Sequence, residues 1–173
     1  MAIPVPAALV DDRVQLPAPI YQVRTRYLPA RPTAVVRAEV RPASVTHWLI
    51  RAHAQVRDVL SGAGVSATGP PFARFIADDE AGDRPRVEAG YQVAVAIGEL
   101  DDVVASGLPA GTVAVTRHEG PHESLDAAYA ALDGWLSGHG FIEAGPHWEV
   151  YLTDGRDGTN PARWRTDVIV PYG

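Results

Sequence analysis

The chain predicts an α+β fold: duplicated β-α-β-β units forming one antiparallel sheet, with two helices on one face and a groove between them. Three observations carry this expectation. First, the sequence repeats itself. LPARPTAVVRAE at 28–39 returns as LPAGTVAVTRHE at 108–119, offset by 80 positions, and GPPFARFIAD at 69–78 returns as GPHWEVYLTD at 145–154, offset by 76. Second, each copy holds one stretch of helical periodicity between β-rich stretches. Third, one helix over so small a sheet cannot bury its own apolar face, so two units must share a core. Self-similarity of this kind marks a supersecondary module used twice. The seam between two modules is a favoured place for a ligand. The expected organisation is a loose tail over 1–19, then one domain over 20–173, with repeats at about 20–98 and 99–173.

The elements follow in order. The tail is Pro-rich and expected to be poorly ordered. Residues 21–27 alternate as a strand does, 28–32 read as a turn and 33–40 as a second strand. Ser44 is placed to cap a helix carrying Val45, Trp48, Leu49, Ala52, Val56, Val59 and Leu60 at helical spacing. Gly62 and Gly64 end it. A short strand is expected at 72–77, a charged turn at 78–86 and a return strand at 87–97. The second copy repeats the plan, with a strand at 112–118, a turn at Gly120 and Pro121, and a helix over 123–136. Strands at 148–153 and 164–170 follow, joined by a turn at 154–161.

Composition bounds the function. Of 173 residues 46% are apolar and 21% charged, as in an ordinary globular chain, and the formal net charge is −6. That charge disfavours nucleic acid as a partner and favours cationic ligands. Cysteine is absent, excluding disulfides and thiolate chemistry, and lysine is absent, excluding Schiff bases. No apolar run reaches the roughly 18 residues of a membrane span. The opening lacks a basic stretch, so no signal peptide is expected and a cytoplasmic location follows by default. No cofactor is implied, and the oligomeric state is open.

The most informative residues are Glu149 and Tyr151. Two apart on a strand, they share a face, and Trp148, Val150 and Leu152 take the other. In the first copy their positions hold Ala73 and Phe75, so one half alone carries the carboxylate. A carboxylate in an apolar strand is costly unless paired or wetted. An ion pair with Arg163 or Arg165 would explain it, and so would a site for organic cations, which a desolvated carboxylate among rings attracts. Phe75, Tyr91, Tyr129, Trp164 and Trp48 could line such a site, although core packing competes for each. Tyr129 lies on its helix's apolar stripe beside Leu125 and Leu132, and Trp135 reads as core.

His118, at a strand end, could reach the groove as a polar contact, and its counterpart is Ala38. Gly120 and Pro121 separate it from His122, so no helical two-histidine clamp forms. His47 and His53 face different ways on their helix. No metal site is expected.

Several of these stretches together resemble a known family: Leu-Pro-Ala with a β-rich run ending in HEGP at 118–121, the helix with Tyr129 and Trp135, Gly140, GPxxEVY at 145–151 and TDVIVP at 166–171. The pattern is similar to GyrI-like proteins and the effector-binding domains of multidrug-sensing regulators. The resemblance covers about residues 20–172. It implies binding of bulky, hydrophobic, often cationic molecules between the two halves, with Glu149 on the floor and Tyr151 in the wall. It also implies a stand-alone binding protein, because no helix-turn-helix is expected at either end. Some members hydrolyse cyclopropane-bearing alkylating natural products. The alternative is therefore an enzyme with Glu149 as general base and Tyr151 or His118 as proton donor. Where this chain has His122, the family often has tyrosine.

Overall fold

The computed structural model describes residues 20–76, 84–153 and 160–173. The expected tail, most of the charged turn at 78–86 and most of the turn at 154–161 lie outside the described residues. The elements in order are β1 (Arg24–Leu28), β2 (Arg31–Glu39), α1 (Val45–Gly62), β3 (Phe72–Ile76), β4 (Arg86–Gln92), β5 (Val104–Leu108), β6 (Gly111–Glu119), α2 (Asp126–His139), β7 (Trp148–Thr153) and β8 (Arg165–Pro171). Short 3-10 turns at Pro42–Ser44 and His122–Ser124 lead into the two helices.

All eight strands form one antiparallel sheet in the order β1-β6-β8-β7-β3-β4-β2-β5. The helices lie on one face, α1 over β4 and β2, and α2 over β6 and β8. Each buries an apolar stripe: Leu49, Ala52, Val56 and Leu60 on α1, and Ala128, Leu132 and Leu136 on α2. Burying each large aliphatic side chain contributes about 1.5–3 kcal/mol. Trp148, Phe72, Val35, Leu108, Val113 and Val115 form a core on the opposite face. Among the described residues no helix covers them. They bury one another because the sheet curls, bringing side chains of the outer strands toward the centre.

The first correction concerns the leading strands. The strand expected at 21–27 is β1, shifted to Arg24–Leu28, and its counterpart β5 was missed. The two strands trade places. β1 pairs with β6 of the second half, and β5 pairs with β2 of the first. Each half is therefore β-β-α-β-β, closed by a strand from the other. The return strand at 87–97 is shorter than expected, ending at Gln92. Ser44 stands at the N-cap of α1 without a side-chain capping bond, and Gly140 ends α2 in the left-handed conformation at φ 73°.

The halves meet along β3 and β7, where Phe72 pairs with Val150, Ala73 with Glu149 and Arg74 with Trp148. The 76-residue offset also matches Ala73 to Glu149. The pseudo-twofold axis thus passes through this one pair.

β4 threads between β3 and β2 at a point where only glycine fits. A Cβ on Gly90 would stand 1.9 Å from the Ala34 carbonyl oxygen and 2.9 Å from Val35 Cα, both backbone atoms. The Gly90→Ala variant is expected to lose about 3 kcal/mol or more in urea unfolding, at the upper end of overpacking costs. A loss under about 0.5 kcal/mol would show that the strands part readily here.

Candidate functional site

Glu149 points from β7 into the strip of sheet between the helices, and it is only 6% exposed. Its two oxygens accept hydrogen bonds from two phenols. Tyr129 of α2 donates to Oε1 at 2.5 Å, and Tyr151 of β7 donates to Oε2 at 2.7 Å. Strand parity places Tyr151 beside it, and the α2 stripe swings Tyr129 over it. Among the described residues no ion pair reaches Glu149. The candidate partners lie elsewhere: Arg165 pairs with Glu119 at 3.3 Å, and the Arg163 carbonyl sits by Thr153. Burial pushes the Glu149 carboxyl above its usual value, while the two phenols and His118 pull the other way. Burial and the neighbouring carboxylate push both phenols up, so they remain donors.

A second buried carboxylate shows the contrast. Glu88 of β4 points to the opposite face and is 2% exposed. It is held by Arg37 at 2.8 Å, Arg74 at 3.1 Å and the Ser106 hydroxyl. It is a structural anion with its countercharge in place. Glu149 has no such ion pair among the described residues.

Rings surround Glu149. His147 packs against Tyr129 at 5.1 Å and stacks on Phe75 at 5.5 Å. Its imidazole is pushed below the usual value, first by burial and against the opposing pull of Asp133, which keeps it neutral near pH 7. His122 lies 5.2 Å from Tyr151 and 5.2 Å from Trp164. His53 of α1 contacts Tyr151 at 5.5 Å and Tyr91 at 6.0 Å, and its Nε2–H donates to the Phe72 carbonyl at 2.8 Å.

The expected residues divide accordingly. Tyr151 and Tyr129 bond Glu149 directly, and Phe75, Trp164 and Tyr91 join them through His147, His122 and His53 in turn. Tyr91 also borders a hollow at the end of α1 with Leu60 and Val65. Trp48 stands apart, in a hollow with Arg41, Arg51 and Arg84 at the start of α1. His118 faces the same side as Glu149 but is enclosed. Its Nε2–H points to the Pro121 carbonyl at 3.1 Å with Ser124 alongside, since a carbonyl cannot donate, and its Nδ1 is hydrogen-bonded to the Tyr21 hydroxyl at 2.8 Å. The ring ties the incoming chain to the turn before α2.

Sequence reasoning missed His147 and His53. Each had a signal: His147 continues the alternation of 149 and 151, and His53 falls on the stripe with Leu49 and Val56. Among the described residues no group of three or more metal-ligating side chains is placed to hold an ion, and no helix is long and apolar enough to cross a membrane.

Comparisons with known proteins agree on the fold. The C-terminal domain of EcmrR superposes with a TM-score of 0.77 at 23% identity, covering 89% of this chain and 98% of that one. EcmrR in its complex with DNA matches at a TM-score of 0.76 and 20% identity over 88% of this chain, which spans 57% of the EcmrR length. SAV2435, solved bound to tetraphenylphosphonium, matches at 0.66 and 8% identity, covering 88% of this chain and 94% of that one. No curated protein matches the sequence. The GyrI-like small molecule binding domain matches residues 21–172, nearly the whole chain, and the chain belongs to that family.

Proposed function

We propose that this domain binds bulky, hydrophobic cations in the groove between α1 and α2, with Glu149 as the charge that selects them. The carrying observation is a buried carboxylate that two phenols hold and that, among the described residues, no cation neutralises. Leaving such a charge unpaired costs stability, and a ligand cation would recover that cost. The rings of Tyr129, Tyr151 and Phe75 supply faces for cation–π contact, worth roughly 0.5–2 kcal/mol each. The likeness to SAV2435 shows the fold alone, and its phosphonium ligand is a lipophilic cation of the proposed kind.

A second reading is a hydrolase with Glu149 as general base, favoured by the raised carboxyl. Both oxygens are occupied by phenols, which leaves the base poorly placed to take a proton from water. Product analysis after incubation with a cyclopropane-bearing alkylator separates the two: turnover favours the enzyme, and binding without product favours the receptor.

Titration with a rhodamine-type dye is expected to give micromolar affinity, about −8 kcal/mol. Glu149→Gln should weaken it tenfold or more, with the melting temperature unchanged or raised, because the variant removes an unpaired buried charge. Glu88→Gln should do the opposite, costing about 3 kcal/mol by stranding arginines and sparing dye binding in the folded fraction. Equal dye affinity in wild type and Glu149→Gln would remove the glutamate from the site.

The raised carboxyl also fixes the sign of the pH response. A carboxyl held above its ordinary 4.5 favours folding in its protonated form. That advantage is full below 4.5 and is lost as pH rises through the folded value. Wild type should therefore fall behind Glu149→Gln in stability as pH climbs above 4.5, while its cation affinity rises over the same interval. An affinity independent of pH from 4 to 8 would contradict the assignment.

A further inference from the structure

We propose that the corner of the groove around Trp164 is a second polar subsite, in which the indole N–H, with the Thr166 hydroxyl, receives a hydrogen-bond acceptor carried by the bound cation. The inference rests on the binding function proposed above and adds a requirement on the ligand. Two observations support it. Trp164 Nε1 and Thr166 Oγ1 are both buried, and among the described residues neither has a hydrogen-bond partner. Buried donors are seldom left without a partner, because desolvating one uncompensated is costly. Both also belong to the site. Thr166, fully buried, pairs with Tyr151 across β7 and β8. The Trp164 ring reaches Tyr151 through His122 in two ring-to-ring steps of 5.2 Å.

The duplication provides an internal comparison. The strand register matches Ala38–Val87 in the first half to His118–Thr166 in the second. Trp164 and Thr166 therefore stand where the first half has Pro85 and Val87, neither with a side-chain donor. At these two positions the donors occur in the half that carries Glu149 and not in the other. Two neighbouring polar groups are already engaged: Ser124 donates to the Pro121 carbonyl at 2.8 Å, and His118 is held between Tyr21 and that carbonyl. An indole nitrogen only donates. The group it receives must therefore be an acceptor, such as a carbonyl or ether oxygen. The favoured ligand is a cation with an oxygen acceptor at the far end of a flat apolar body.

The test compares two cations on the intact protein: a rhodamine ester, which carries carbonyl and ether oxygens, and tetraphenylphosphonium, which has no acceptor. Trp164→Phe keeps a ring and removes the N–H. It should weaken the rhodamine ester about fivefold, as expected for one hydrogen bond, and change tetraphenylphosphonium less than twofold. Thr166→Val, close in shape, should shift the same ratio in the same direction, so the test survives if one variant folds poorly. Equal losses for both cations would mean the ring only packs. No loss for either would mean that water serves these donors, and either result overturns the subsite. If wild type binds neither cation, the binding function itself fails and the subsite with it.

Discussion

The account rests on a single pairing, Ala73 against Glu149. The two halves meet at the centre of the sheet where β3 pairs with β7, and these residues face each other at the pseudo-twofold axis. Perfect symmetry would place two alanines there, or two carboxylates. Two alanines would leave the seam without charge. Two carboxylates at cross-strand distance would repel, and one would have to stay protonated. The chain has one of each. Both side chains are buried on the face that carries the helices.

The surroundings of that charge follow from the same geometry. α1 and α2 lie over the outer strands of their own halves and leave β3 and β7 between them. α2 carries Tyr129 to the carboxylate, strand alternation brings Tyr151, and His147 and Phe75 stack across the seam. These are dipoles and ring faces, and the opposite face of the sheet is built differently. There Arg37 and Arg74 neutralise Glu88, and Arg117 pairs with Asp167 at 2.7 Å. One face of the sheet closes its own ion pairs, and on the other two phenols hold Glu149.

Much of the fold was legible because it was written twice. The repeated strand–helix–strand stretches located both helices and six strands, and alternation put Glu149 and Tyr151 on one face. The strand β5 was not legible. VASGL at 104–108 has small residues and a glycine, with no alternation to announce an edge strand. The trade of β1 and β5 between halves was hidden for a different reason: strand partners depend on long-range register, which no local pattern records. Among the site residues, Tyr129 looked more like core than wall, since a phenol on an apolar stripe reads as packing until its hydroxyl finds an acceptor. His118 looked like a free polar contact because its partners, Tyr21, Pro121 and Ser124, come from separate stretches of chain.

A crystal structure of the domain with tetraphenylphosphonium would test the central claim most directly. The account predicts the phosphorus between α1 and α2 over the β3–β7 seam, with phenyl rings against Tyr129, Tyr151 and Phe75, and with Glu149 as the closest charged group. A phosphonium seated on the helix-free face, or in the hollows at either end of α1 with Glu149 still enclosed by its two phenols, would contradict it.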